Sequence, residues 1–457
     1  MSMFLNIWMG GVRVGELWHH TDENLFSLRY DDDWTQSGHA LSPALPLIRP
    51  EAESRERHSM EVRNFFQNLL PEGKALDDAV ATYHLSKANL AGLLHALGRE
   101  SAGALVFTAN AVTPHDKDER QARRLSSEEL SQRIRARPEH PFTVWDGRVR
   151  LSIAGYQDKL AVLQQGDAWF LPETLQQSST HILKPEPVSR QLAGMTTNEL
   201  MCMLLADAVG VSAAAVRLAH VPEPVLVVER FDRVPARGDM QAAQADGTQV
   251  LRRQCIDGCQ ALGLPVDFKY ERPFGDGDDV KEIRDGASLK RFFRLLGDRD
   301  LMHSTGPAKL AFLRWLIFQV LIGNTDAHAK NLSFFSDANR LVLAPAYDMV
   351  SGLALIDAQV ADQLAMAVGD NFDPRTIRAF DWALMAHECA LAPRLVVNAL
   401  KELATHSLKK LPDICHEVLA QGGDPRMTQR VASVVQSQCE AALACAKDIL
   451  AVNPAYL

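Results

Sequence analysis

The segment Gly323-Asn324-Thr325-Asp326-Ala327-His328-Ala329-Lys330-Asn331 constrains this chain more than any other, because it follows directly on the apolar run Leu316 to Ile322. That run is too short to span a bilayer and sits behind Arg314, so it reads as a buried helix. Asp326 precedes Asn331 by five residues. This interval lets one loop present a carboxylate base and an amide metal ligand together. Seventeen residues past Asn331, after the strand-like Leu341-Val342-Leu343, comes Tyr347-Asp348-Met349. An Asp at the end of a short strand is well placed to be a second magnesium ligand. Isolated Asp and Asn in loops are usually turn formers, so the weight of the pattern comes from what precedes it.

Phosphoryl transfer needs a cation on the phosphates, oxygen donors on magnesium and a base near the acceptor hydroxyl. Upstream, Ser152-Ile153-Ala154-Gly155-Tyr156-Gln157-Asp158-Lys159 lies between two β-runs, and its small residues let backbone N–H groups approach phosphate oxygens. It lacks the Gly-Lys-Ser/Thr ending of a Walker loop, and an ordinary hairpin is the plain alternative. Lys184 closes the strand His181-Ile182-Leu183 before Pro185, where it would reach the phosphates from a rigid element. Glu199 falls in the amphipathic helix Asn198 to Val209, where it would pair with Lys184 unless it is a solvated surface acid. His328 either orients the loop or is a satisfied structural group, and Lys330 either serves the site or is solvated.

The chain has 457 residues, more than one core usually holds. Leu5, Ile7 and Met9 alternate before Gly10-Gly11, and Val12, Val14 and Leu17 follow, which predicts a hairpin with Leu25 to Tyr30 as a third strand. Helical spacing over Val62 to Leu70 and Leu90 to Leu97, then the short run Leu105 to Phe107, completes an accessory α+β domain over 1–110. Residues 111–148 read as a charged connector, with a helix entrance at Ser126-Ser127-Glu128-Glu129. Residues 149–255 read as a β-rich nucleotide-binding lobe, and 256–457 as a helical catalytic lobe. The expected fold class is thus α+β and two-lobed, like a protein kinase. Seven scattered cysteines without a Cys-x-x-Cys unit point to a reduced cytoplasmic setting, with Cys255 and Cys259 as core thiols rather than half a zinc site. No signal peptide or membrane span is expected, and a net charge of −9 advertises no extended DNA-binding face.

With these residues in place the sequence resembles the HipA family of serine/threonine kinases, toxins of bacterial toxin–antitoxin pairs. Matching segments include Trp8-Met9 with Arg13 to Leu17, Asn64 to Pro71, Gly98 to Ala104, Ser152 to Lys159, Val228 to Arg233, Cys259 to Pro265 and Gly323 to Asn331. After about residue 380 the match is by pattern alone.

The resemblance implies that Ala154, Gly155, Tyr156, Gln157, Asp158 and Lys159 cradle ATP phosphates and that Lys184 contacts them. Glu229, Arg230 and Phe231 would form the adenine-side hinge. Asp326 would be the catalytic base, with His328, Lys330, Asn331, Tyr347 and Asp348 completing the ATP site and Asn331 and Asp348 on Mg2+. Ser152 matches a serine that family members autophosphorylate, and a dianionic phosphate beside ATP would repel it. The implied partners are an HTH-type antitoxin, DNA through that antitoxin, and a protein substrate, a glutamyl- or tryptophanyl-tRNA synthetase. Two departures, Tyr156 in the phosphate loop and Cys255-Ile256-Asp257 where relatives carry Gln-Glu-Asp, bear on substrate identity. Two other readings stand beside this one. A small-molecule or lipid-type kinase would label metabolites, whereas a non-catalytic corepressor would have a broken magnesium site.

Overall fold

The computed structural model describes the chain apart from residues 1, 51, 99–100, 110–119, 151–156, 238–239, 241–248, 338–339 and 359–361. Ser152, Ala154, Gly155 and Tyr156, expected at the phosphate loop, lie outside the described residues. The chain divides into two compact units, one made of residues 1–185, 220–266 and 334–341, the other of 186–219, 267–333 and 342–457.

The first unit opens on the expected hairpin. Strands β1 (Ser2–Met9), β2 (Val12–His20), β3 (Leu25–Tyr30) and β4 (Leu105–Thr108) form an antiparallel sheet in the order β3-β2-β1-β4. Gly10 and Gly11 turn the hairpin with positive φ, a conformation that costs glycine little. Leu5, Ile7, Val14 and Leu17 are buried on the sheet. Helix α1 (Arg55–Gln67) is buried at Phe65 and Phe66, and the Phe66 ring meets Phe107 of β4 edge-on at 5.9 Å. Its N-terminus is closed by the Ser54 side chain, which accepts from the Arg57 N–H. Helices α2 (Gly73–Tyr83) and α3 (Leu90–Leu97) follow; the first was not anticipated.

The same unit contributes five strands of a second antiparallel sheet: β5 (Arg123–Leu125), β6 (Leu160–Gln165), β7 (Ala168–Leu171), β8 (His181–Pro185) and β9 (Pro224–Glu229), ordered β9-β8-β6-β7-β5. The β6–β7 hairpin turns at Gly166, which holds a positive φ. Of the segment 111–148 expected as a connector, Arg123–Leu125 joins this sheet and Ser127–Arg135 forms a helix. Arg123, Arg124 and Leu125 pair with Leu171, Phe170 and Trp169, and Leu125 is buried there. The charge that suggests a linker is used locally, since Arg123 bridges Glu129 at 2.9 Å and Asp146 at 2.8 Å.

The second unit is mostly helical. Helix α4 (Met195–Ala208) was expected to be amphipathic, yet Met195 to Met203, Leu205 and Ala206 are all buried. It packs with α6 (Pro393–Ala420) and α7 (Pro425–Cys445), while α5 (Thr305–Leu321) packs on both of these. Polar residues survive that burial because each is satisfied. Thr197 Oγ1 accepts from the Asp424 N–H at 2.9 Å, and Asn198 brackets the Ser351 backbone with bonds of 3.0 and 2.7 Å. Among the described residues no helix is long and apolar enough to cross a membrane. Cys255 and Cys259 are buried thiols, and burial pushes the Cys255 thiol well above its ordinary range.

Candidate active site

Helix α5 is buried along Phe312, Leu313, Leu316, Ile317 and Phe318, so the loop after it starts from a fixed point. Gly323 breaks the helix with φ +63°, and an added Cβ there would stand 2.8 Å from the Leu353 side chain. Gly323→Ala is therefore expected to cost about 1–2 kcal/mol from the left-handed backbone, with overpacking adding about 1–3 kcal/mol. Thermal unfolding would register this as a Tm lowered by several degrees.

The loop is then stitched to itself. Asn324 donates from Nδ2 to Gln319 Oε1 at 2.8 Å, and its Oδ1 accepts the Asp326 N–H at 2.9 Å. The Asp326 carbonyl accepts from the His328 N–H at 2.8 Å and from Asn331 Nδ2 at 2.8 Å. Residues 321–330 are buried with one exception, the Asp326 side chain, which is exposed. A carboxylate presented to solvent from a rigid, otherwise buried loop is suited to accept a proton from an incoming hydroxyl. Lys330 is buried, which removes the solvated reading of that residue.

Asn331 and Asp348 have the chemistry magnesium requires. With the Asn331 nitrogen engaged on the Asp326 carbonyl, its Oδ1 remains as an oxygen donor of the kind hard cations select. Tyr347 fastens the second donor to the same loop, since its hydroxyl donates to the Lys330 carbonyl at 2.7 Å and lies 2.9 Å from Ser333 Oγ. Asp348 itself holds φ +57°, a costly conformation for a non-glycine residue that tends to persist at functional sites. The Asn198–Ser351 brace lies three residues further on.

The other candidates in the second unit and those in the first stand as follows. Glu199 is 1% exposed within α4, so the surface-acid reading fails for it. Lys184 is 6% exposed on β8, which lies between β6 and β9 in the sheet. A buried lysine and a buried carboxylate each require compensation. Lys159 is also buried, and the half-exposed Asp158 lies 3.5 Å from the Arg137 guanidinium. Burial pushes the Glu229 carboxyl up from its ordinary value. Phe231 meets Phe335 edge-on at 5.8 Å, and Arg253 covers the Phe335 ring at 3.6 Å.

Arg230 has a task that the sequence did not reveal. Its backbone N–H donates to the Thr180 carbonyl at 2.9 Å. Its guanidinium forks onto Asp232 at 3.0 and 2.7 Å and also donates to Ser179 Oγ and the Ser101 carbonyl. Arg233 adds bonds to the Gly103 and Ser179 carbonyls, while Asp232 accepts from the Gly103 N–H at 2.8 Å. Burial alone would raise the Asp232 carboxyl, but the two guanidiniums overrule it and hold the group well below the carboxylate range. Two motifs 130 residues apart, Gly98 to Ala104 and Val228 to Arg233, thus meet in one buried knot.

Comparison with known proteins agrees with this architecture. A family model described as the HipA N-terminal domain matches residues 5–108, and one described as the HipA-like C-terminal domain matches residues 151–411. The serine/threonine-protein kinase toxin HipA of Shewanella oneidensis is 37% identical over 421 residues, covering 92% of this chain and 90% of that protein. Putative kinase Y4mE of Sinorhizobium fredii is 32% identical over 405 residues, covering 87% and 89%. In the solved complex of Shewanella oneidensis HipA, HipB and operator DNA, one chain matches this fold with a TM-score of 0.83 at 34% identity, covering 98% of this chain and all of that one. The chain therefore belongs to the HipA family of serine/threonine-protein kinases.

Proposed function

We propose that this kinase transfers the γ-phosphoryl group of ATP to a serine or threonine hydroxyl of another protein, acting as the toxin of a type II toxin–antitoxin pair. The observation that carries the reading is the exposed Asp326 carboxylate on a loop whose neighbours are buried, with the Asn331 amide bonded to the Asp326 backbone carbonyl. Asp326 accepts the proton of the acceptor hydroxyl. Asn331 and Asp348 hold magnesium, which neutralises charge on the phosphoryl oxygens when bound. Lys184 contacts the phosphates, with Glu199 as its counter-charge, and residues 154–159 with His328, Lys330 and Tyr347 complete the nucleotide site. Glu229 and Phe231 flank the base, and Arg230 keeps both in place through its buried bonds. Ser152 is the autophosphorylation site.

The partner we propose is an HTH-type antitoxin, by analogy with the HipA–HipB–operator complex, so that DNA is reached through the antitoxin. The proposed substrate is an aminoacyl-tRNA synthetase, glutamyl or tryptophanyl, whose inactivation would halt translation. The test is phosphopeptide mass spectrometry of cells after induction of this chain or of Asp326→Ala. A new phosphosite on a synthetase, present with the parent and missing with the variant, is the expected result. Label from ATP confined to the small-molecule fraction would overturn the protein-kinase reading.

A further inference from the structure

We infer that Tyr270 is a positioning residue for the base, fixing one oxygen of Asp326 so that the other faces the acceptor hydroxyl. The inference rests on the phosphotransfer reading above and extends it to a residue outside every motif discussed so far. The Tyr270 hydroxyl donates to Asp326 Oδ1 at 2.7 Å. An exposed carboxylate on a short side chain otherwise samples several rotamers. A phenol bonded to one oxygen selects one of them, and hydrogen bonds to ionised acceptors are the strong ones.

Tyr270 can impose that choice because its own backbone is held. The Ala329 N–H donates to the Lys269 carbonyl at 3.0 Å, binding the segment to the catalytic loop. The Tyr270 ring stands edge-on to His328, with centroids 5.1 Å apart and planes at 87°. On the other side, the Glu271 N–H donates to the Ala365 carbonyl at 2.9 Å, and the Glu271 carboxylate is buried against Arg284 and the Ala367 N–H. Gly286 packs so closely that a Cβ there would stand 1.8 Å from the Tyr270 carbonyl oxygen. The strap Phe268 to Arg272 is therefore anchored on both flanks, and the Tyr270 hydroxyl reaches Asp326 from a fixed base. His328 acquires a concrete part in this arrangement as the surface on which the tyrosine ring rests.

Tyr270→Phe removes the hydroxyl and keeps the ring on His328, so it tests the hydrogen bond alone. We expect kcat for phosphorylation of a serine-containing protein to fall about 10–100-fold, with the KM for ATP and the melting temperature unchanged. Amide exchange over residues 324–331 is expected to quicken several-fold in the same variant, a readout that needs no turnover. A kcat within twofold of the parent, or a loss matched by weaker ATP binding or a lower melting temperature, would overturn the assignment. Should the parent itself transfer no phosphate, the phosphotransfer reading fails; the hold of Tyr270 on the loop is then decided by exchange alone, and unchanged exchange rejects it.

Discussion

Asp326→Asn is expected to lower phosphotransfer by about 10²–10⁴-fold, the range that a positioned general base commands. The substitution is isosteric, and the bonds within the loop at this residue are made by its backbone: the N–H to Asn324 and the carbonyl to His328 and Asn331. Its side-chain oxygen would still accept from the Tyr270 hydroxyl. That leaves the amide NH2 turned toward the acceptor, a donor where an acceptor is required, so the hydroxyl proton has nowhere to go. Because Asp326 is exposed, the melting temperature should stay within a degree or so of the parent. Initial rates at saturating ATP, measured beside thermal unfolding, check both halves of the claim. A variant retaining more than a tenth of the parent rate would remove Asp326 from the base position.

The parts of this site carried by a contiguous stretch of chain were legible in the sequence, and those made by meetings between distant stretches were not. Asp326 and Asn331 share one loop behind a run of apolar residues, so spacing and order locate them. Strand alternation likewise located β1, β2 and β3. Tyr270 lies 56 residues before the carboxylate it holds, within a Lys-Tyr-Glu-Arg run that reads as an ordinary surface segment. No local pattern marks such a residue. Helix α4 departs from the amphipathic expectation for a related reason: Glu199 reads equally as a surface acid, but it is buried, and its neighbours Thr197 and Asn198 find partners within the protein. The charges of segment 120–148 suggested a linker because composition cannot show that Arg123 answers Glu129 and Asp146 across a strand edge. Arg230 was read as part of a hinge; the buried Asp232 that gives it a structural task was visible two residues away, but not its burial.

Asp232→Ala is expected to destabilise the first unit by about 3–5 kcal/mol, the cost of leaving buried charges without their partner. The side chains of Arg230 and Arg233 are 1% and 0% exposed, and both bridge this carboxylate, at 2.7 and 2.9 Å. Neither guanidinium can shed its proton to escape, because arginine stays charged in proteins. The Gly103 N–H loses its acceptor as well, so its amide should exchange faster in the variant than in the parent. Acid behaviour follows from the direction of the Asp232 shift. A carboxyl held below its ordinary value of 3.8 contributes stability that is complete above that pH and is lost as pH falls from there through the folded value. The parent should therefore lose part of its stability below about pH 4 that Asp232→Ala no longer has to lose, and their unfolding curves should converge in acid. The kinetic signature should be the reverse of that of Asp326→Asn. If Glu229 to Phe231 form the proposed adenine-side hinge, loosening the knot that holds Arg230 should raise the KM for ATP while kcat at saturation survives, so the two variants would separate nucleotide binding from proton removal. Equal loss of kcat in both would mean that the knot serves the catalytic loop rather than the nucleotide side.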